Sequence, residues 1–186
     1  MDVQLAAHEM HDLHELALSC VNSITNMGYF LQHIQDPELK ALVEKHLPYH
    51  IRDYDIKVEY LRKAQGAETK LPIPELNATL PSFTASPAAN YVPVTPRTNV
   101  QEFNDREMAT AYLLTLKRAG REYAWSAMEM SNPEIRAFCQ NAFLMSCNHA
   151  YEVWQWLVKK GYYPLETADL TMTEKIGDMY GMVPPQ

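Results

Sequence analysis

Apolar residues recur along the first thirty-odd positions in alternating steps of three and four. Val3, Ala6, Met10, Leu13, Ala17, Cys20, Ile24, Met27, Leu31 and Ile34 follow this rhythm without a break, with Leu16 and Phe30 widening one side. A sustained stripe of this period predicts one long amphipathic helix over about 3–34. A second helix is predicted over about 38–64, opened by Asp36-Pro37-Glu38-Leu39-Lys40, with Leu39, Leu42, Val43, Leu47, Tyr54 and Leu61 facing inward. The stretch 134–160 has no Pro or Gly, and both of its ends are marked. Pro133 suits a first helical position, where its missing N–H is not needed. Gly161 suits a helix stop, because only Gly enters a left-handed position without steric cost. Its inward face is predicted to be Ile135, Phe138, Cys139, Ala142, Met145, Val153, Trp156 and Leu157.

The openings Asp36-Pro37-Glu38 and Asn132-Pro133-Glu134 lie 96 residues apart. Shifting the first stripe by the same 96 positions gives Arg106, Ala109, Leu113, Leu116, Gly120, Tyr123, Ala127 and Met130, of which only Arg106 is charged. A third helix over about 105–131 follows, and the chain reads as a helical hairpin repeated once. The predicted fold class is all-α: a ferritin-like four-helix bundle in a single domain. The first hairpin covers 3–64, the second 105–161, and a tail covers 162–186. Residues 65–104 join the hairpins and hold six of the twelve prolines. A helix of this length spans about 40 Å, and an extended Pro-rich strand of about 13 residues already covers that distance. The connection can therefore return the chain along the bundle, which is the one-crossover ferritin connectivity. A flexible tether between two separate hairpins is the competing arrangement, disfavoured because an isolated hairpin cannot bury its stripe. In the tail, 172–180 reads as a short amphipathic helix lying on the bundle or on a neighbouring molecule.

Composition narrows the function classes only a little. A net charge of −7 and a pI near 5.5 argue against a nucleic-acid partner. No apolar run approaches the length of a membrane span. The N-terminus carries acids and histidines where a signal peptide needs a basic start, so the chain is expected to stay inside the cell that makes it. Three cysteines, Cys20, Cys139 and Cys147, cannot all pair internally and fit no zinc spacing, so they read as small buried apolar residues.

Candidate chemistry sits at one level of the bundle. Counting from the two hairpin turns, His50 and His149 both fall near its middle, followed one turn later by Asp53 and Glu152. A di-iron site in this architecture needs carboxylates from all four helices. The facing positions are Cys20 and Ser23 on the first helix and Tyr112 and Leu116 on the third, with no carboxylate among them. His50, Asp53, His149 and Glu152 therefore read as a buried polar layer; as an alternative they form a degenerate metal site. The expected cofactor is none. Glu9 and Asp105 match under the repeat but lie near helix starts, where Asp105 or Asn104 suits an N-cap. His8, His11 and His14 fall on the outer side of the first helix, as a solvated or subunit-contact face. Pro48, inside the second helix, should kink it and free the Glu44 carbonyl for His46 or His50. No phosphate loop or nucleophile elbow is present.

The pattern from Asn132-Pro133-Glu134-Ile135-Arg136 to Lys159-Lys160-Gly161-Tyr162-Tyr163 resembles the spore coat F family, whose members are ferritin-like four-helix proteins. The resemblance is clearest over about 105–163. Leu5-Ala6-Ala7-His8-Glu9-Met10-His11-Asp12-Leu13-His14-Glu15-Leu16 with the Asp36-Pro37-Glu38 opening resembles an N-terminal extension in such proteins. The resemblance implies a non-enzymatic structural protein of the bacterial spore coat, made in the mother cell cytoplasm. Other coat proteins are its implied partners, a homo-oligomer is open, and neither nucleic acid nor membrane is involved. A metal-binding or metal-oxidising ferritin-like protein and a module presenting its Pro-rich linker are the competing functions.

Overall fold

The computed structural model describes residues 4–63 and 66–185. Its elements are α1 (Ala7–His33), α2 (Pro37–Lys63), α3 (Asp105–Glu129), α4 (Pro133–Lys159) and a short α5 (Leu170–Gly177). Val3, Ala64 and Gln65, at the edges of the predicted segments, lie outside the described residues. The four long helices pack as two antiparallel hairpins, α1–α2 and α3–α4, and the described residues contain no strand. All-α architecture is as expected from the pattern.

Each helix starts where its side chains supply the missing backbone partners. Asn132 Oδ1 accepts from Glu134 N at 2.9 Å, with Pro133 following at the first helical position. Asp36 Oδ1 does the same for Glu38 N and Leu39 N, both at 3.0 Å. Asn104 and Glu107 form a reciprocal capping box at α3. Gly161 has φ 71°, and a Cβ there would meet the Asn90 carbonyl oxygen at 2.5 Å, so glycine is required both to stop α4 and to admit the crossover.

The repeat sets the docking of the hairpins. The first helix of each hairpin uses an acid near its start to hold the turn of the other. Glu9 Oε1 accepts from Asn132 N at 2.7 Å and Ser131 Oγ at 2.9 Å. Asp105, 96 positions later, accepts from Gln35 N at 2.9 Å and Asp36 N at 2.7 Å. Asp105 is therefore not the α3 cap; Asn104 is, and Asp105 ties the bundle ends together. Glu9 is driven below the usual carboxylate range: burial opposes this, but the Asn132 and Ala6 amides outweigh it. These mirrored ties place the two turns at opposite ends of the bundle and relate the hairpins by a pseudo-two-fold axis.

The buried rows obey the same shift. On α2 the buried side chains are Leu39, Val43, His46, His50, Asp53, Ile56, Lys57 and Tyr60; 96 positions on, Ile135, Cys139, Ala142, Ser146, His149, Glu152, Val153 and Trp156 are also buried. The predicted α4 face is correct throughout. Two predicted faces are rotated. On α1 the buried row is Glu9, Leu13, Leu16, Cys20, Ser23, Met27, Phe30 and Ile34, while Met10 is exposed and Ala17, Ile24 and Leu31 sit at the edge. On α2, Leu42, Leu47 and Tyr54 are peripheral and Leu61 is exposed. In both helices the true face carries polar residues, so a stripe drawn through apolar positions alone turns away from it. Cys147 is exposed, unlike Cys20 and Cys139. Pro48 lies on the exposed face of α2, which continues through it, and His46 and His50 point inward rather than toward the freed Glu44 carbonyl.

Described crossover residues form no helix or strand, yet part of their path is specified. Asn141, Asn148 and Gln155 stand seven residues apart on α4 and donate to the carbonyls of Leu71, Pro74 and Asn77, three residues apart. Seven helical residues rise about 10.5 Å, and three residues of polyproline II rise about 9.3 Å. The two periods match closely enough for one amide every two helical turns to hold the crossover. Leu71 and Leu80 are buried beneath it, and Gln155 Oε1 also accepts from Thr79 N at 2.6 Å. Beyond Leu80, Ser86 N and Val92 N donate to the carbonyls of Leu165 and Gly161, so the tail returns alongside the crossover. The tail helix α5 buries no side chain against the described residues: all eight of its residues are exposed.

Two outcomes follow. Leu116→Ala should destabilise the bundle by about 2–5 kcal/mol in chemical denaturation, since Leu116 is 1% exposed within the core. Gln155→Ala should speed amide exchange at Thr79 and Leu80 while leaving helix content by circular dichroism unchanged.

Candidate functional site: a polar row between the hairpins

His46, His50, Asp53 and Lys57 follow one another on α2 in steps of four, three and four, which puts all four on the face turned to the second hairpin. All are buried, and Lys57 is fully so. They divide into two hydrogen-bonded groups.

The upper group is aromatic. His46 Nε2 lies 2.8 Å from Glu152 Oε2, and His46 Nδ1 lies 3.1 Å from the Tyr112 hydroxyl. The same hydroxyl lies 3.1 Å from His50 Nε2, which is 3.3 Å from His149 Nδ1. The His46 and His149 rings stack at 3.7 Å. Lys45, reaching in from solvent, donates to Glu152 Oε1 at 2.6 Å. Donor counting orders the protons. Glu152 accepts, so His46 Nε2 carries hydrogen and its Nδ1 receives the Tyr112 proton. Tyr112 oxygen then accepts from His50 Nε2, whose hydrogen also faces His149 Nδ1. His149 is left carrying hydrogen on Nε2, a buried atom without a partner.

Burial holds these rings neutral. It lowers His50 from 6.5 to about 4, and it lowers His149 still further with the neighbouring His46 and His50 adding to the effect. Burial also lowers His46, against the Glu152 carboxylate. Glu152 stays below its ordinary range because its bonds to His46 and Lys45 outweigh its own burial.

The lower group centres on Asp53. Lys57 Nζ pairs with Asp53 Oδ1 at 2.8 Å and donates to the Tyr123 hydroxyl at 2.6 Å. Tyr123 donates to Asp53 Oδ2 at 2.6 Å, and the Cys20 thiol donates to the same oxygen at 3.0 Å. Lys57 also sits over the Tyr123 and Phe138 rings at 5.0 and 5.3 Å. Burial, then the Asp53 charge, pushes the Cys20 thiol up to about 12, so it is a hydrogen-bond donor rather than a nucleophile. Burial alone would discharge Lys57, but the Asp53 carboxylate holds it above its ordinary value.

Of the four residues singled out by spacing, His50 and His149 touch, and Glu152 joins them through His46. Asp53 does not: it turns toward Cys20, Tyr123 and Lys57, because a fully buried ammonium one turn away needs its charge. Tyr112 and Cys20 are participants, Ser23 bonds back to the Ser19 carbonyl at 2.9 Å, and Leu116 packs in the apolar core. Lys57 and Lys45 have no role in the sequence reading, and His46 and Tyr123 appear there only as a donor to the Glu44 carbonyl and as a stripe residue, not as members of this polar row. The signal that marks His46 and Lys57 is the 4-3-4 spacing of polar residues on α2, a heptad row as regular as any apolar stripe. His8, His11 and His14 are exposed, as expected. Among the described residues, no group of three or more His, Cys, Asp or Glu side chains is arranged to hold a metal ion.

Acid should loosen the bundle at this layer. Unfolded histidines take up protons below about 6.5, whereas folded His50 does so only near 4 and His149 lower, so stability falls as pH drops through that window. Each such group contributes a slope of up to about 1.4 kcal/mol per pH unit. Glu152, depressed in the fold, adds a loss in the same direction below its ordinary range. Denaturant midpoints from pH 7 to 4.5 read this slope, and His149→Phe should flatten it. Asp53→Ala should cost about 3–5 kcal/mol by stranding Lys57, and Asp53→Ala with Lys57→Met should recover more than half of that.

Comparison with known proteins gives a consistent family. The Coat F domain family matches residues 104–166, from the α3 cap to the residues just past Gly161. Spore coat protein F-like protein YhcQ of Bacillus subtilis (strain 168) is 21% identical over 185 residues, covering 96% of this chain and 83% of that protein. A crystal structure of a provisionally described spore coat protein from Bacillus halodurans C-125 shares the fold. Its TM-score is 0.65 at 13% identity, over 89% of this chain and 96% of the other. Match and shared fold bear out the resemblance read from the marked ends of α4 and the repeated hairpin: residues 104–166 of this chain match the Coat F domain family.

Proposed function

We propose that this chain is a non-enzymatic structural protein of the bacterial spore coat, made in the mother cell and built to assemble with other coat proteins. The observation that carries the reading is the match to the Coat F domain, joined to a bundle centre whose polar side chains mostly bond to one another. Where a di-iron bundle needs carboxylates from every helix, α1 and α3 present Cys20, Ser23, Tyr112 and Leu116, so the donor set does not fit a ferroxidase. Tyr112, Tyr123, Cys20 and the three imidazoles bond across the hairpin interface and open on no substrate-sized cavity among those lined by described residues. Such a layer fixes how the hairpins dock. That is a structural task.

A second reading, a ferritin-like protein binding metal through His50, His149 and Glu152, has one observation in its favour: the unpartnered, buried Nε2 of His149. Asp53 counts against it, being committed to Lys57.

In a spore-former carrying this chain, the protein should fractionate with the insoluble coat, and its deletion should alter the coat's composition. Recovery only in the soluble mother cell fraction would defeat the proposal. Metal analysis of protein purified without an affinity tag separates the two readings. Stoichiometric iron or manganese, with iron oxidation abolished by His149→Ala, would favour the metalloprotein.

A further inference from the structure

Among the described residues, the upper polar group has one line of bonds to the surface, and the crossover lies across it. From the inside outward the line runs His149, His50, Tyr112, His46, Glu152 and Lys45. Its last two members differ sharply: the Lys45 side chain is 48% exposed and the Glu152 side chain 3%. Glu152 is therefore covered at the point where its partner is open to water.

The amide ladder on α4 identifies the cover. Asn148 and Gln155 flank Glu152 at four residues before and three after, so the three side chains share one stripe of the helix. Asn148 holds the Pro74 carbonyl and Gln155 the Asn77 carbonyl, both at 2.7 Å. Residues 74–77 therefore pass over the turn that carries Glu152. Leu71, Pro74 and Leu80 are buried, while the residues between them are exposed. The repeat gives the other edge of this face. Subtracting 96 from Asn141, Asn148 and Gln155 gives Lys45, Arg52 and Glu59 on α2. That row borders the crossover too, since Glu59 Oε2 accepts from Glu68 N at 2.9 Å. Residues 71–80 are lightly held. Among the described residues their hydrogen bonds run only to the three α4 amides, and the Asn141 contact with Leu71 is long, at 3.4 Å. A segment without a backbone ladder opens locally while the rest stays folded.

We propose that residues 71–80 are a strap that gates the polar layer: water and protons reach His46 and the rings behind it only when the strap lifts from α4. The hairpins stay docked as it lifts. A proton from water then attaches to the Glu152 carboxylate and passes to His46 Nε2, and the hydrogen already on Nε2 leaves by the same route, so exchange leaves the layer's charge unchanged. The groups around His46 are Lys45 and His50 on its own helix, Tyr112 from α3, and His149 and Glu152 from α4. The strap contributes one charge between its anchors, the exposed Glu75, and no α1 side chain bonds to His46 among the described residues. Acid charges the layer at the rate of strap opening, so the docking that the layer fixes is shielded from brief changes of pH.

Hydrogen exchange followed by NMR on the full chain tests the gate. The His46 Nε2–H is buried against Glu152, and its resonance is followed in D2O beside the Thr79 and Leu80 amides. Pro74→Gly loosens the strap from its own side, by giving the lifted chain more freedom, and leaves α4 untouched. It should quicken the Thr79 and Leu80 amides and the His46 ring proton by one common factor, about two- to fivefold. Gln155→Ala removes the anchor of Asn77, Thr79 and Leu80. It should quicken the His46 ring proton, which it does not touch, by about tenfold. Met145 and Leu116 amides, inside α4 and α3, should keep their parent rates in both variants. Strap amides that quicken while the ring proton does not would overturn the gate, because another route would then reach His46. So would a parent ring proton that exchanges faster than the strap amides, or strap amides indifferent to both substitutions.

Discussion

A fully buried lysine constrains everything around it. Lys57 is shut off from solvent, so its charge must be met by the Asp53 carboxylate, the Tyr123 hydroxyl and two aromatic faces. Asp53 and Lys57 come from the first hairpin; Tyr123 and Phe138 come from the second. The pair is satisfied only when the hairpins dock in one register. A slip of one helical turn would strand an ion in an apolar interior, at a cost of several kcal/mol. Apolar packing alone tolerates such slips far better, since one methyl-lined surface resembles the next.

The upper group repeats this logic in neutral form. Its three imidazoles, phenol and carboxylate form a chain in which each hydrogen has an assigned place, and only Glu152 reaches the surface, through Lys45. The orphaned Nε2–H of His149 is the cost that remains. Together the two groups span the middle of the bundle, while the mirrored Glu9 and Asp105 ties fix its ends. Polar contacts therefore specify the docking of the hairpins, and apolar contacts provide most of the stability.

Local signals made most of the fold legible. Proline and glycine at helix ends act through the backbone of a single residue, so Pro37, Pro133 and Gly161 marked their boundaries to within a residue. The 96-residue repeat and the crossover's length made the antiparallel hairpins, the placement of the turns and the mid-bundle level of His50 and His149 accessible to counting. All of these depend on chain geometry, which the order of residues carries directly.

Which side of a helix faces inward, and which polar groups pair there, was decided by the tertiary structure. The α1 and α2 faces were misread because Glu9, Ser23, His46, Asp53 and Lys57 are polar, and a residue is buried with its charge only if a partner waits on another helix. Asp53 illustrates the limit: its spacing from His50 suggested a shared site with His149, but Lys57 one turn on, with Tyr123 across the bundle, claimed it. Cys20 and Tyr112 likewise gained their roles from neighbours more than thirty and more than sixty residues away in sequence, respectively. Sequence alone determined where helices begin, end and turn, because those choices are local. Pairing in the core was left to the packed structure, because a hydrogen bond between distant residues exists only once the chain has brought them together.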